Sequence, residues 1–432
     1  EDKNRWERRV PLTPAQAGQL VEQGVGVFVQ PSTLRIFDDE EYAQAGARLA
    51  EELSDAPVIL GVKEMPEEIF EPNKTYVFFS HTHKGQPHNM SMLDTLLRRN
   101  CSLIDYELIR DAEGRRLIFF GQFAGMAGMI DTLWAYGRRL EAEGTDSPFS
   151  ALRRAWEYES LDQAKSALTK VSKAISRHGL PTGMGPLVCG FSGYGRVSRG
   201  AQEIFDLLPV REIDPEQLIR RDSKDGMSRQ VIYKTVFEEK HMYRRIEPAA
   251  FEFEEFVQHP ERYRPAFERF LPHLDILVHG IYWEERFPRL ITREALEQAW
   301  SSGERPRLRV VGDITCDIGG SIACTIKPTD SEQTAYIYDP VNDRALDGRF
   351  DGPGPLVVAV DNLPCELSRE ASDEFGQALG PYVKPIAEAQ APDGLELGAL
   401  PEEVRRGVVV HRGQLTDEHR HLARLLPRGA GE

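Results

Sequence analysis

The chain lacks the marks of a disulfide-stapled protein. Its five cysteines, Cys101, Cys189, Cys316, Cys324 and Cys365, are odd in number, and no two stand in a CxxC spacing. Cys189 and Cys365 lie in apolar stretches that suit inert buried thiols. This usage implies a reducing compartment. Long apolar runs are also missing, since none reaches the roughly 20 residues that cross a bilayer. No signal-peptide pattern opens the sequence. It begins at Glu1, so a missing natural start and a removed transit peptide both stay open. Cationic charge is scarce: 53 Lys and Arg face 69 Asp and Glu, for a formal net charge of −16. That balance disfavours nucleic acid and anionic membranes as partners. Internal repeats and low-complexity tracts are absent. No carboxylate sits at ligand spacing beside the histidines His81 and His83, so a metal is not expected.

What is present is an ordinary globular composition, 41% hydrophobic and 28% charged over 432 residues. That length allows two to three domains with real cores. Strand-like and helix-like segments alternate from the start. Thr13-Pro14 reads as a helix cap followed by proline at the first helical position. "VGVFVQ", "APVILGV", "TYVFFS", "CSLID" and "RLIFFG" read as strands, and several suit a buried parallel sheet. "HNMSMLDTLLRRN" repeats apolar residues at helical spacing. Two long helices follow, one opening with "FAGMAGM" and one ending at Gly179. A second strand–helix series begins at "GPLVCGFSGYGRVSRGAQEIF". The segment 327–355 is polar and reads as loops or an irregular hairpin. The fold class is α/β.

"FSGYGRVSRGA" places Gly193 and Gly195 directly after an apolar strand and at the start of an amphipathic helix. That context is what a dinucleotide fingerprint requires. Gly193 would make the tight turn, and Gly195 would let the backbone approach a pyrophosphate at the helix N-terminus. The third glycine position holds Ser198, with Gly200 two residues later. Asp214 lies after a second short strand, where a ribose-binding acid is expected. In the first series, polar side chains crowd the carboxyl ends of strands: Lys63 in "GVKEMPEE", His81, His83 and Lys84 in "FFSHTHKGQ", and Glu107 in "LIDYEL". Open α/β sheets keep their ligands there. Arg9, Arg115 and Arg116 add guanidinium groups whose fork geometry suits carboxylates.

Taken in order, "RWERRVPLTP", "LGVKEMPEE", "FSHTHKGQ", "LIDYEL", "FGQFAGMAGM", "SGYGRVSRGAQEIF", "GIYWEERFPRLIT", "CDIGGSI" and "DNLPCELSREAS" resemble the lysine-ketoglutarate reductase half of bifunctional aminoadipic semialdehyde synthase. More distantly the chain is similar to saccharopine dehydrogenase, alanine dehydrogenase and transhydrogenase. The resemblance implies two Rossmann-like domains with parallel sheets and a cleft between them. Residues 1–130, completed by 365–432, would form the substrate domain, 180–364 the cofactor domain, and 131–179 helices between them. The "FAGMAG" helix would then begin at the domain interface, close to the cofactor.

The implied reaction condenses L-lysine with 2-oxoglutarate and reduces the imine to saccharopine with a nicotinamide cofactor. The resemblance gives Lys63 and His81 catalytic roles. It gives Arg9, Lys84, Gln86, Glu107, Arg116 and Tyr282 to substrate, and Arg115, Gly193, Tyr194, Gly195, Arg196, Val197, Asp214, Gly280, Ile281 and Asp317 to the cofactor, with no metal. NADPH is the expected cofactor, through Arg196, Arg220 or Arg221 at a 2′-phosphate, with NADH as the alternative that Asp214 favours. Other readings are a dehydrogenase acting on a different amino acid or imine, and a cofactor-binding regulator without turnover. The expected partners are these small molecules, without nucleic acid or membrane and with room for a homo-oligomer. The expected location is the cytoplasm, or the mitochondrial matrix for a eukaryotic chain.

Overall fold

The computed structural model describes residues 5–220, 226–301 and 306–427. The chain divides into two compact units, one made of residues 1–120 and 368–432 and the other of 121–367. In chain order, strands β1 (Val58–Leu60), β2 (Thr75–Phe78) and β3 (Ser102–Asp105) lie in the first unit. The second unit holds β4 (Val188–Ser192), β5 (Val210–Glu212), β6 (Ile232–Phe237), β7 (Ile276–His279), β8 (Val310–Asp313), β9 (Ala335–Asp339), β10 (Arg344–Leu346) and β11 (Leu356–Val358). The chain then returns to the first unit with β12 (Val408–His411) and β13 (Gln414–Leu415). The helices that matter below are α1 (Pro14–Glu22), α2 (Met90–Arg98), α3 (Gly121–Ala142), α4 (Leu161–His178), α5 (Arg196–Phe205), α6 (Pro215–Arg220) and α7 (Ser368–Glu388).

The first unit is built on a five-stranded sheet in the order β13-β12-β3-β2-β1. β1, β2 and β3 are parallel neighbours, so the loops after all three leave the same edge of the sheet. β12 joins β3 antiparallel, which is how the carboxyl-terminal segment completes the unit. Every residue of β2 and β3 is buried, as a central parallel strand requires. The core gathers Phe70, Tyr76, Phe78, Leu93, Leu103 and Ile104 with Phe375, Leu379 and Ile386 of α7. α1 starts as its sequence predicts, with Thr13 and Gln16 forming a reciprocal cap.

Two expected strands of this unit take other forms. Of "VGVFVQ" only Phe28–Val29 is extended, and it pairs with Arg48–Leu49 outside the main sheet. "RLIFFG" contributes a single bridge between Arg110 and Arg116. Its apolar residues pack as a loop: Ile118 has no exposure, and half-buried Phe120 stacks on Phe375 with ring centres 4.5 Å apart. Apolar content required burial, and aromatic packing satisfied it without a ladder.

The second unit carries an eight-stranded sheet in the order β10-β9-β11-β8-β7-β4-β6-β5. Strands β5 to β8 and β11 run parallel around β4, and the polar 327–355 segment forms the antiparallel β9–β10 hairpin at one edge. α3 and α4, expected between the domains, belong to this unit. All five cysteines are free thiols. Among the described residues no helix is long and apolar enough to cross a membrane.

Candidate active site

In the first unit, three parallel strands end in sequence-predicted side chains. Lys63 follows β1, His81 and Lys84 follow β2, and Glu107 follows β3. The turn after β2 is tight: His81 sits in the left-handed region at φ 50°, a conformation few residues other than glycine adopt. Its ring stacks on Phe79 with centres 6.2 Å apart, and its Nδ1 lies 2.6 Å from Oε1 of Glu64. A carboxylate only accepts, so Nδ1 carries the hydrogen and Nε2 is left to exchange a proton. Glu64 was not among the sequence candidates. Its signal was its place beside Lys63 at the same strand end.

Glu107 collects cations. Arg116 Nη1 is 3.4 Å from its Oε1, Lys84 Nζ 3.7 Å from the same atom, and His83 Nδ1 3.7 Å from Oε2. Burial pushes the Glu107 carboxyl up, but Arg116, His83, Lys84 and His81 together outweigh it and hold the group below its ordinary value. His83 is shifted down chiefly by burial, against the pull of Glu107. Burial likewise lowers Arg116, whose guanidinium lies 5.8 Å from the Phe79 ring. Lys84 stays exposed, and Gln86 stands at the start of the short turn Pro87–Asn89.

Two expected arginines are occupied by their own chain. Arg9 is buried and forms a fork with Glu7, Nε to Oε1 at 2.8 Å and Nη2 to Oε2 at 2.6 Å, while stacking over Phe120 at 4.2 Å. The carboxylate it meets in the structure is therefore internal. Arg115 points into its own exposed turn, with Nε 2.6 Å from Asp111 and Nη2 3.1 Å from Glu113. Arg9, Glu7 and Lys63 also line a cavity of about 640 Å³, walled by apolar residues from Val25–Val29 and Val58–Val62.

The second unit carries the glycine loop between β4 and α5. Gly193 has φ 91°, and a Cβ there would fall 2.3 Å from Ile281 Cγ2. A Cβ on Gly195 would meet nothing within 4 Å, so the loop is open on that side. Ser198, in the third glycine position, is buried and donates to the Gly193 carbonyl at 2.7 Å, bracing the turn. The close-packing role passes to Gly200, where a Cβ would lie 2.1 Å from the Gln122 carbonyl. Gly280 meets the same helix start, its absent Cβ being 3.2 Å from Val197 Cγ1. A tight turn, an open glycine and a ten-residue helix start fit a dinucleotide pyrophosphate.

The glycines of α3 also receive their explanation here. A Cβ on Gly125 would fall 2.0 Å from the Val197 carbonyl and 2.7 Å from the Ala201 nitrogen. The surface that approaches "FAGMAG" this closely is the backbone of α5, in the same unit.

The remaining cofactor candidates divide. Asp214 caps α6, accepting from the Glu216 nitrogen at 2.9 Å and the Gln217 nitrogen at 3.4 Å. Tyr194 is exposed and donates to Glu239 at 3.1 Å. Tyr282, 77% exposed, donates to Glu284 at 2.9 Å, and Asp317 lies on the exposed turn after β8. Arg196 and Arg220 are exposed, and Arg221 lies outside the described residues. Beside the loop, Ser192 Oγ and His279 Nδ1 meet at 2.7 Å across β4 and β7, with His279 buried and thereby shifted down.

Two parallel-rich units, one with a glycine loop and one with ionisable side chains at strand ends, define an α/β protein. The alanine dehydrogenase/PNT N-terminal domain model matches residues 1–127, and the corresponding C-terminal domain model residues 235–418. Alpha-aminoadipic semialdehyde synthase of Arabidopsis thaliana is 38% identical over 98% of this chain and 41% of its own length. The mitochondrial enzyme of that name from Bos taurus is 37% identical over 98% of this chain and 47% of its length. This chain thus spans less than half of those relatives. The saccharopine dehydrogenase [NAD(+), L-lysine-forming] of Yarrowia lipolytica is 30% identical over 87% of this chain and 88% of its own. A solved L-alanine dehydrogenase superposes with a TM-score of 0.62 at 18% identity, covering 98% of this chain and 97% of that one. The chain belongs to the alanine dehydrogenase/PNT family, together with the aminoadipic semialdehyde synthases and the lysine-forming saccharopine dehydrogenases.

Proposed function

We propose that the chain condenses L-lysine with 2-oxoglutarate and reduces the product reversibly to saccharopine. The observation that carries this reading is the His81–Glu64 pair beside Lys63, at the strand edge that also presents Glu107, Lys84 and Arg116. The names of the relatives support the substrate assignment. Joining the lysine amine to the keto carbon forms a carbon–nitrogen double bond and releases water. Each stage moves protons: off the attacking ammonium, onto the departing hydroxyl, and finally onto the imine nitrogen. His81, held through Nδ1, offers Nε2 for such transfers, and Lys63 is the second proton-transfer group. Arg116 and Lys84 receive substrate carboxylates, with Gln86 beside them. Glu107 keeps those cations gathered when no substrate is bound. The nicotinamide, when bound at the glycine loop, supplies the hydride.

The test is lysine-dependent oxidation of reduced nicotinamide with a panel of 2-oxo acids. Turnover requiring both lysine and 2-oxoglutarate supports the assignment. A clear preference for another amine or oxo acid replaces it.

A further inference from the structure

We infer that Asp131 and Glu366 share a single proton, and that this proton latches the last turn of the second unit onto α3. The inference is independent of the proposed reaction, in which neither residue takes part.

The fold brings the two acids together from opposite ends of the unit's sequence. From Gly125 to Leu133 every residue of α3 is buried, so Asp131 has no wet side of the helix to turn to. Glu366 stands in the turn Leu363–Leu367, the last of the unit. That turn is pressed against α3 where Gly128 leaves room: a Cβ there would lie 3.1 Å from Leu363 Cδ1. Asp131 has no exposure and Glu366 only 6%.

Hydrogen bonding then requires the proton. Asp131 Oδ1 accepts from the Ala155 nitrogen at 2.7 Å. Asp131 Oδ2 and both oxygens of Glu366 are buried and meet no N–H or O–H donor, while the two carboxyl groups face each other within hydrogen-bond reach. A carboxylate only accepts, so two ionised groups would leave three buried oxygens unsatisfied and set like charges side by side. One proton between them turns one group into a donor and relieves the repulsion. The neighbouring turns supply no substitute. Arg154 is engaged by Glu157, with Nε 3.0 Å from Oε2 and Nη2 3.2 Å from Oε1. Its Nη1 donates to the carbonyls of Ser331 at 3.3 Å and Glu332 at 2.8 Å. The Arg154 charge favours ionisation of both acids, as does the Ser331 hydroxyl, outside hydrogen-bond geometry, at Glu366; Glu157 opposes it at Asp131. Burial outweighs them, pushing Asp131 up to about 6 and Glu366 well above the ordinary carboxyl range. Both groups are thus raised above their ordinary values of 3.8 and 4.5, so the folded unit keeps a proton that the unfolded chain releases. The pair's contribution to stability is complete below those values and is lost as pH rises through the folded titration.

The test is infrared difference spectroscopy and calorimetry of the full chain, wild type against Glu366→Gln and Asp131→Asn. Each variant keeps an amide donor for the remaining acid and needs no shared proton. At neutral pH the wild type should show the carbonyl stretch of a protonated buried carboxyl that both variants lack. The melting temperature of Glu366→Gln relative to wild type should rise by about 5 °C or more between about pH 5 and pH 9. Absence of that band from the wild-type-minus-variant spectrum overturns the inference, as does a parallel pH dependence of melting in wild type and Glu366→Gln. Stabilisation of the wild type by added Ca²⁺ at neutral pH, lost in Glu366→Gln, would put a cation in place of the proton and overturn it too. If neither amide variant folds, the acids are needed as charges, and the shared proton is refuted.

Discussion

Gly125→Ala tests the link between helix packing and the cofactor loop. The added Cβ would sit 2.0 Å from the Val197 carbonyl oxygen and 2.7 Å from the Ala201 nitrogen. A carbon–oxygen contact needs about 3.2 Å, so α3 and α5 must part by roughly 1 Å. Both obstructing atoms are helix backbone, which cannot turn aside as a side chain does. Overpacking of this kind costs about 1–3 kcal/mol, and the backbone contact puts Gly125→Ala near the top of that range. Alanine recovers up to about 1 kcal/mol in helix propensity, leaving a net loss of about 2 kcal/mol. For a unit of about 250 residues that lowers the melting temperature by about 4–8 °C. Since α5 carries the glycine loop at its start, nicotinamide-dinucleotide affinity should fall about tenfold or more as the loop shifts. Gly183→Ala is the control, because its Cβ would meet nothing within 4 Å. Calorimetry and fluorescence titration read both effects. If Gly125→Ala keeps the wild-type melting temperature and dinucleotide affinity, the close α3–α5 contact does not hold the loop.

Lys63→Met and His81→Asn should each lower turnover by about 10²–10⁴-fold, and near-wild-type rates in both would remove them from the chemistry. Glu64→Gln should lower turnover less than His81→Asn, since it changes the hydrogen-bond partner of His81 rather than the ring itself; wild-type turnover in that variant would separate Glu64 from the proton transfers. Arg9→Ala should destabilise the first unit by about 3–5 kcal/mol in chemical denaturation, because it breaks the buried Arg9–Glu7 ion pair; unchanged stability with a raised KM for 2-oxoglutarate would return Arg9 to substrate binding. Acid should weaken the first unit in two windows. His83 and Glu107 are both shifted below their ordinary values of 6.5 and 4.5, so the unfolded chain binds more protons than the folded one and stability rises with pH. The His83 contribution is complete above about pH 6.5 and is lost below it, and that of Glu107 follows below about pH 4.5. His83→Gln should flatten the upper window, and an unchanged pH–stability curve in that variant would show that His83 does not govern it.

Much of the site was legible because its signals are local. Glycine at a turn with φ 91°, an apolar strand before it and an amphipathic helix after it occupy a few consecutive residues. Lys63, His81 and Glu107 could be singled out because a polar residue that ends a buried parallel strand has few places to go but the sheet edge. Glu64 was overlooked because its role lies in a contact made 17 residues away, with His81. Arg9 showed its charge but not its partner, which is two residues distant and reached only when both side chains are buried, with Arg9 over Phe120.

The sequence by itself determined the α/β alternation, the glycine loop and the three strand ends, since periodicity, turn chemistry and burial act over short spans. It could not determine which strand lies beside which. That depends on how each crossover packs its helix against the sheet, a choice made by contacts between distant residues. Because β6 took the place beside β4, Glu239 after β6 meets the Tyr194 hydroxyl of the glycine loop, while Asp214 after β5 caps α6. The same non-local packing made the helix of "FAGMAG" a close neighbour of α5 and buried "RLIFFG" as a loop, where shape complementarity rather than propensity set the outcome.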